Sequence, residues 1–218
     1  IMKKIFIATV AFFSLAAVNN AQAQTGLSFS IKGTPAVTWM NNSNDRDNNA
    51  TDFNPMFGAS FGIGAGYEFN KKLGVELDAL YSLQGSSFKT AGVESKQKVN
   101  YVKIAPMFTY TIPTSGIVSI VGKVGPQLNI LTDSKLTDKD GNSITKDMND
   151  QYESVTFGGV ANIGAQFQLS KSLFLTTGLR YDMDFTNAEN KDFGEYPAGR
   201  NTTLNSTAGL EVGLKVKL

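Results

Sequence analysis

The chain has 218 residues, and its 20 lysines and arginines against 19 aspartates and glutamates leave a formal net charge of +1. It contains no histidine and no cysteine. The missing residue types exclude a histidine-dependent triad, thiolate metal sites and disulfide bonds, and the balanced charge argues against a nucleic-acid-binding protein. The length suits one domain or one sizeable barrel, for which we expect neither a cofactor nor a metal.

The first predicted element is a secretory signal peptide over residues 1–23. Two lysines follow Met2, an apolar run extends over residues 5–18, and Ala21-Gln22-Ala23 has the small-x-small form of a cleavage site. The apolar run is shorter than the roughly 20 residues that a membrane-spanning helix needs. We therefore expect export, followed by a single domain over residues 24–218.

Eight segments of the predicted mature chain alternate between apolar and polar residues. In the second of them, for example, Phe61 and Ile63 alternate with Ser60, Gly62 and Gly64. Alternation with a period of two is the pattern of a strand that has two unlike faces. The sequence predicts no helix and eight strands, within the ranges 27–39, 57–70, 75–84, 102–112, 118–130, 155–169, 173–185 and 204–218.

The connections between these strands alternate between long and short along the chain. The predicted tight turns are 70–72, 113–116 and 170–172, and the predicted long polar loops are approximately 41–56, 85–98, 132–153 and 187–201. An up-and-down transmembrane barrel has this asymmetry, with short periplasmic turns and long extracellular loops. The sequence therefore predicts an all-β, eight-stranded antiparallel up-and-down transmembrane β-barrel with both termini on the periplasmic side.

The apolar face of the predicted strands is large and the polar face is small, with Gly62, Gly64 and Gly66 on the latter. A soluble barrel would show more long charged side chains outside, so we predict lipid contact and the outer membrane as location. A soluble periplasmic barrel that binds a small apolar ligand is the alternative. Aromatic residues near the strand ends predict two interfacial girdles: Trp39, Phe57, Tyr81 and Phe185 on the long-loop side, and Tyr67, Phe69, Tyr110 and Phe167 on the short-turn side.

Local features predict departures from regular pairing. Pro35, Pro106 and Pro126 lack a backbone N–H for the ladder, so each predicts a bulge or a rim position. Tyr101 falls in the polar-face register of its strand, which predicts a slip or bulge nearby. The segment 138–142 differs from a calcium loop, since its glycine is at the fourth position and not the sixth, and it is read as a hairpin turn.

Charged side chains on the polar face are the best candidates for function. An eight-stranded barrel has an interior just wide enough for side chains to fill, so one interpretation is a polar plug held by salt bridges. A second is a narrow path for water or ions, and a third is catalysis by the paired carboxylates Glu76 and Asp78. The predicted inward charges are five cations and six anions: Lys32, Lys103, Lys123, Arg180 and Lys215, with Glu68, Glu76, Asp78, Asp182, Asp184 and Glu211.

Several segments form an ordered set of landmarks: LGVELDALYSLQGSSF (73–88), NYVKIAPMF (100–108), GKVGPQL (122–128), LRYD (179–182) and GLEVGLKVKL (209–218). In order and spacing this set resembles the outer-membrane β-barrel family of Bacteroidetes, often labelled porin-family or PorT-like. The resemblance covers essentially the whole predicted mature chain. It implies a barrel in the outer membrane, and the family has no shared biochemical activity to transfer.

The sequence leaves several functions open for this barrel. One is a structural or surface-interaction barrel without an open pore, and another is a small porin for water or small solutes. The PorT-like resemblance adds an accessory of protein secretion. Known enzymatic outer-membrane barrels generally rely on a catalytic histidine, so we predict no enzyme. The expected partners are outer-membrane lipid and an unknown extracellular partner at the loops, with no nucleic acid, and the expected state is a monomer because a closed barrel has no sheet edge.

Overall fold

The computed structural model describes residues 26–46, 51–90, 92–114, 116–194 and 196–218. The predicted signal peptide over residues 1–23 lies outside the described residues. The strands are β1 (Gly26–Asn41), β2 (Thr51–Asn54), β3 (Met56–Glu68), β4 (Leu73–Thr90), β5 (Val93–Pro113), β6 (Val118–Asp138), β7 (Ser143–Thr145), β8 (Val155–Gln168), β9 (Leu173–Asp184) and β10 (Leu204–Lys217).

Eight long strands close into a ring in which every neighbouring pair is antiparallel. The order is β1-β3-β4-β5-β6-β8-β9-β10, and β10 pairs with β1 to close it. The short strands β2 and β7 pair with the far ends of β4 and β6. Consecutive long strands are neighbours throughout, so the predicted eight-stranded antiparallel up-and-down barrel is confirmed.

Helices contribute little to the described part of the chain. One turn, α1 (Ser43–Arg46), follows β1, and one 3₁₀ turn (Asn149–Gln151) precedes β8. Among the described residues, no helix is long and apolar enough to cross a membrane. The long connections that carry these turns lie at one end of the barrel, which we call the long-loop end. The short-turn end carries the connections 69–72 and 169–172, and β5 ends there at Pro113 and β6 begins there at Val118.

The barrel has a polar interior and an apolar exterior. Along β1, for example, Ser28, Ser30 and Lys32 are buried inside the ring, whereas Leu27 and Ile31 are exposed on its outer surface. The other long strands follow the same alternation, since side chains along a strand point to opposite faces. This distribution is opposite to that of a soluble protein and is the one expected for a barrel in lipid. The alternative of a soluble barrel with an apolar ligand cavity is therefore wrong.

The predicted long loop over residues 85–98 is wrong. β4 and β5 remain paired up to Thr90 and Val93, so only residues 91 and 92 connect them. β5 and β6 each have 21 residues, and β6 shortens the predicted loop 132–153 to residues 139–154. The wall formed by β4, β5 and β6 therefore extends beyond the apolar band of the barrel. Both faces of these strands are polar there, so no alternation of hydrophobicity marks the extension in the sequence.

The three strand prolines interrupt pairing locally without bulges. Pairs Ile104↔Leu128 and Phe108↔Val124 share one register, in which Pro106 and Pro126 are opposite each other. β1 likewise keeps one register with β10 on both sides of Pro35. The predicted bulges at the prolines are therefore wrong, because the hydrophobic alternation on either side of each proline keeps the register.

A glycine accompanies two of these prolines on the neighbouring strand. A Cβ atom at Gly125 would collide with the carbonyl oxygen of Pro106, and one at Gly209 would collide with that of Pro35. The adjacent strands thus approach closely at positions where the ladder lacks an N–H donor. Glycine has no Cβ and allows this approach.

The predicted register slip near Tyr101 and the predicted turn over residues 138–142 are confirmed. The β5–β6 register shifts where Asn100 pairs with Asp133 and Tyr101 with Leu131, and the Tyr101 side chain is fully buried. At the end of β6, the Asp138 carboxylate accepts hydrogen bonds from the backbone N–H groups of Asp140 at 3.0 Å and Asn142 at 2.8 Å. Gly141 has a φ of 92°, so this segment is a turn between β6 and β7.

Candidate functional site

A network of ion pairs occupies the middle of the barrel. Lys32 Nζ lies 2.5 Å from Glu76 Oε1 and 2.7 Å from Asp78 Oδ1. Arg180 Nη1 lies 3.0 Å from Asp78 Oδ2 and also 3.0 Å from Glu211 Oε2. These five side chains are at most 3% exposed. Because each charge has an opposite partner in contact, the cost of removing it from water is offset locally.

Two lysines on β5 and β6 complete the network around the ring. Lys123 Nζ lies 2.7 Å from Glu76 Oε1 and 3.6 Å from Glu211 Oε1. Lys103 Nζ is 3.7 Å from Asp182 Oδ2, which also pairs through Oδ1 with Arg180 Nε at 3.1 Å. The network thus joins β1, β4, β5, β6, β9 and β10 across the barrel interior.

Asp184 is held differently from the other inward carboxylates. It accepts hydrogen bonds from the amides of Asn129 at 2.7 Å and Asn205 at 2.9 Å, and from the Thr156 hydroxyl at 3.2 Å. These donors lie between the charge network and the long-loop end. Among the described contacts, neutral hydrogen-bond donors therefore hold the Asp184 carboxylate, and no direct salt bridge does.

Glu68 forms a separate cluster at the short-turn end. Lys215 Nζ lies 3.0 Å from its Oε1 and Lys217 Nζ lies 2.7 Å from its Oε2. Lys217 was absent from the predicted inward set, although it follows Lys215 by two positions in the same strand and therefore shares its face. Adding this one cation to the five predicted gives six, which equals the six predicted anions.

The described residues enclose a small cavity in the barrel interior. A cavity of about 20 Å³ lies on the short-turn side of the charge network, between Lys123, Gln166, Thr176 and Lys215. One water molecule needs roughly 10–15 Å³ by this type of measure, so the cavity has room for about one. This cavity is far too small to hold a continuous column of water.

An apolar cap closes the interior at the long-loop end. Its buried members are Val99, Tyr101 and Tyr152, against which Leu131 and Met148 pack. Tyr101 also connects the cap to the polar interior, because its hydroxyl accepts a hydrogen bond from the Asn205 amide at 3.3 Å. The sequence did not predict this cap, since Tyr152 belongs to a connection whose position depends on the tertiary structure.

Arg200 organises the loops above the cap. Its guanidinium donates two hydrogen bonds to the Asp45 carboxylate at 2.6 and 2.8 Å, and two to the Glu189 carboxylate at 2.6 and 2.7 Å. The hydrogen bonds to Glu189 and then to Asp45 raise the pKa of Arg200 above its ordinary value. Bidentate pairs of this kind fix orientation as well as charge. In the sequence, only the rarity of arginine could have drawn attention to Arg200, since the chain has three arginines.

Further hydrogen bonds join three loops into one platform, which comprises residues 42–46, 148–153, 187–194 and 196–203. The Asn42 amide donates to the Thr203 hydroxyl at 2.6 Å, and the Asn190 amide donates to the Asp150 carbonyl at 2.9 Å. A cleft of about 140 Å³ opens in this platform. The lining of the cleft combines aromatic, amide and charged side chains: Gln97, Gln151, Tyr152, Glu189, Asn190, Phe193, Tyr196, Pro197 and Arg200.

The predicted girdle aromatics lie on the outer surface near the two ends of the barrel. Phe57 and Phe185 are the most exposed of the long-loop set, at 74% and 64%. At the short-turn end the rings of Tyr67 and Phe69 pack edge to face, with centroids 5.5 Å apart. Their role at the membrane interfaces stays a prediction. The other members are Trp39 in β1, Tyr81 in β4, Tyr110 in β5 and Phe167 in β8.

Comparisons with known proteins agree with this architecture. The family model described as "Outer membrane protein beta-barrel domain" matches residues 8–215. The outer membrane protein OprG from Pseudomonas aeruginosa is similar, with 15% identity, a TM-score of 0.51, and coverage of 89% of this chain and 97% of that chain. Neisserial surface protein A (NspA) has 18% identity, a TM-score of 0.52, and coverage of 88% and 99% respectively. At these identities the likeness concerns the fold. No curated protein sequence is significantly similar to the chain.

Proposed function

Since the chain belongs to the outer membrane protein β-barrel family and is an outer membrane β-barrel protein, we propose that it is a plugged, non-enzymatic barrel that presents a preorganised loop platform to a partner outside the cell. The observation that carries this proposal is the filled interior. Buried charges pair with each other through the middle of the barrel, and an apolar cap lies above them.

Conduction would require a connected aqueous path. The interior cavity has room for about one water molecule, and a solute that passed Arg180 would have to break its contacts with Asp78 and Glu211. Breaking a buried ion pair costs several kcal/mol. These features favour the plugged barrel over the small porin.

The arrangement of Glu76 and Asp78 also disfavours catalysis. Both carboxylates contact Lys32 directly, and their side chains are 3% and 0% exposed. A general acid or base must reach a substrate proton by direct contact or through one water. The cavity that Glu76 lines has room for about one water molecule and not for a substrate, so we assign both carboxylates to the plug.

The loop platform is the part of the protein that suits a surface partner. Its cleft of about 140 Å³ is smaller than the roughly 300 Å³ at the lower end of small-molecule pockets. It fits one protruding side chain of a protein surface better than a whole cofactor. The Arg200 contacts hold the platform in place before binding, which reduces the ordering cost on association.

Planar-bilayer conductance of the refolded barrel tests the plug. We expect no discrete conductance steps, with insertion established separately by protease protection. Steps that change in Lys123→Glu, which alters an interior charge, would contradict the plug and favour the small porin. Lys71→Glu is the matched control, because the same charge change is made in an exposed short turn.

The PorT-like accessory role in secretion stays a prediction of the sequence resemblance. Its test is independent of conductance, since a deletion strain would lose its secreted cargo while a plugged barrel remained silent in bilayers. A deletion strain that retains normal secretion would contradict that role. In the described ring each of the eight long strands pairs with a neighbour on both sides, which supports a monomer.

A further inference from the structure

A group of lysines lies on the outer face of the wall formed by β4, β5 and β6, beyond the apolar band. The last fully apolar row across this wall is Tyr81, Val102 and Ile130. Two rows further towards the long-loop end, Lys98 pairs directly with Lys135. Val99 and Ser134, which alternate with these lysines, are fully buried on the inner side, so Lys98 and Lys135 face outward.

Neighbouring rows add further cations to the same face. Lys96 is two positions beyond Lys98 in β5, and Lys89 in β4 pairs with Glu94. We call Lys89, Lys96, Lys98 and Lys135 the lysine face. By register the acidic residues on it are Asp52, Glu94 and Asp133, so four positive charges minus three negative charges leave a net charge of +1.

The Lys98–Lys135 pair is electrostatically unfavourable within the protein itself. Like charges directly opposite each other on neighbouring strands destabilise a sheet. The nearest compensation is the pair of Lys135 Nζ with Asp133 Oδ2 at 3.3 Å, in which both side chains are more than a third exposed. A pair this exposed contributes little, so an external anion would relieve the repulsion.

The height of the lysine face matches the lipid headgroups. Lys98 lies four residues beyond Val102, and with about 3.3 Å per residue and a strand tilt of about 40° this places it roughly 10 Å above the apolar band. The headgroup layer of one leaflet is about 5–8 Å thick. A lysine ammonium on its flexible stem reaches back towards that layer.

The cations are concentrated on one side of the barrel. At the long-loop ends of the other long strands that the structure describes, outward positions are uncharged, as at Asn41, Phe57, Val155 and Leu204. A general attraction to the membrane surface would not need this asymmetry. The distribution therefore indicates an anionic partner beside β4, β5 and β6.

We propose that the lysine face binds the phosphate groups of lipids in the outer leaflet, beside the β4–β6 wall. The lipid source is favoured because the cations follow directly above lipid-facing residues of the same strands. The interaction weakens with ionic strength, since exposed charges are screened by salt. This inference depends on the outer membrane location and not on the plugged interior, so a conducting barrel would leave it intact.

Native mass spectrometry of the detergent-solubilised full chain with phosphatidic acid tests the proposal. We expect a double variant, Lys98→Gln with Lys135→Gln, to bind phosphatidic acid about 25-fold more weakly, from about fivefold for each lysine near a phosphate layer. Lys71→Gln with Lys72→Gln is the control, because it removes the same charge from the short-turn end. Equal affinities of the two double variants would overturn the proposal.

Three further measurements separate other outcomes. Inorganic phosphate that binds as tightly as phosphatidic acid would overturn the lipid source. If the glutamine variant does not fold, the wild-type chain still provides a test, because its affinity for phosphatidic acid must fall as salt is raised whereas its affinity for a neutral diacylglycerol must not. Lys98→Arg with Lys135→Arg keeps both charges, so retained binding supports the proposal and lost binding contradicts it.

Discussion

Arg180 and Asp78 are 102 residues apart in the chain, and Arg180 Nη1 donates a hydrogen bond to Asp78 Oδ2 at 3.0 Å in the middle of the barrel. The same guanidinium donates to Glu211 at 3.0 Å and to Asp182 at 3.1 Å. One side chain thus connects carboxylates on β4, β9 and β10. β9 and β10 are direct neighbours, but β4 faces them only across the interior of the closed ring, so the arginine both stabilises the closed barrel and fills it.

Removal of Arg180 should destabilise the barrel strongly. Arg180→Gln leaves Asp78 and Glu211 without this cation, and loss of one partner of a buried ion pair typically costs about 3–5 kcal/mol. The free energy of unfolding is measured in lipid vesicles with urea, with the fluorescence of Trp39 as the signal. Lys72→Gln, in an exposed turn, should leave it unchanged. An equal stability of Arg180→Gln and wild type would contradict a structural plug.

Gly125→Ala should impair the β5–β6 pairing. The added methyl group would collide with the carbonyl oxygen of Pro106, and overpacking of this kind costs about 1–3 kcal/mol. Gly122→Ala is the control on the same strand, because a Cβ there has no neighbour within 4 Å. The folded fraction is measured by heat-modified mobility on gels. Similar folded fractions for the two variants would show that the close approach is unimportant.

A lysine at position 63 should be unfavourable in lipid. The Ile63 side chain is 61% exposed on the outer face of β3, and a lysine near the bilayer midplane costs about 2–4 kcal/mol in a barrel. The measurement is urea unfolding of Ile63→Lys in vesicles, with Ile63→Leu as the apolar control. If this face contacted water, Ile63→Lys would be at least as stable as the control, and that outcome would contradict lipid contact.

Arg200→Ala should loosen the platform and leave the barrel folded. The substitution removes all four hydrogen bonds to Asp45 and Glu189, and these residues lie beyond the ring of strands. We expect faster cleavage of the long loops by protease added to intact cells, at unchanged heat-modified mobility. Lys139→Ala, at an exposed position of the same end, should not change cleavage. Undiminished protection in Arg200→Ala would contradict a platform organised by Arg200.

Alkaline pH should open the apolar cap. Burial raises the pKa of Tyr152 well above its usual value, so its neutral hydroxyl stabilises the folded state below the ordinary pKa of about 10. That contribution is lost as the pH rises through the raised folded-state pKa. Tyrosinate absorbance during titration measures this, and Tyr152→Phe should lack the latest phase. Identical titration curves for the variant and the wild type would contradict burial of this hydroxyl.

The alternation of residue types was sufficient to predict which side chains point inward. Lys32 and Arg180 were assigned to the interior from their own strands, because the side-chain period of a strand is two and needs no knowledge of other strands. The same local pattern failed over residues 85–98, where both faces of the β4–β5 hairpin are polar. Lys217 shows a simple omission, since the pattern of β10 already placed it on the inward face.

The sequence by itself determined the eight long strands within the apolar band, their two unlike faces and the lipid-facing side, because burial in a barrel follows a local periodicity. The partners of each inward charge were decided only by the tertiary structure. Arg180 meets Asp78 and Lys98 meets Lys135 because of the register between strands, and Arg200 joins loops that are separate in the chain. Register and loop packing depend on contacts between residues that are far apart in the chain, and these contacts decide which inward charges pair with each other.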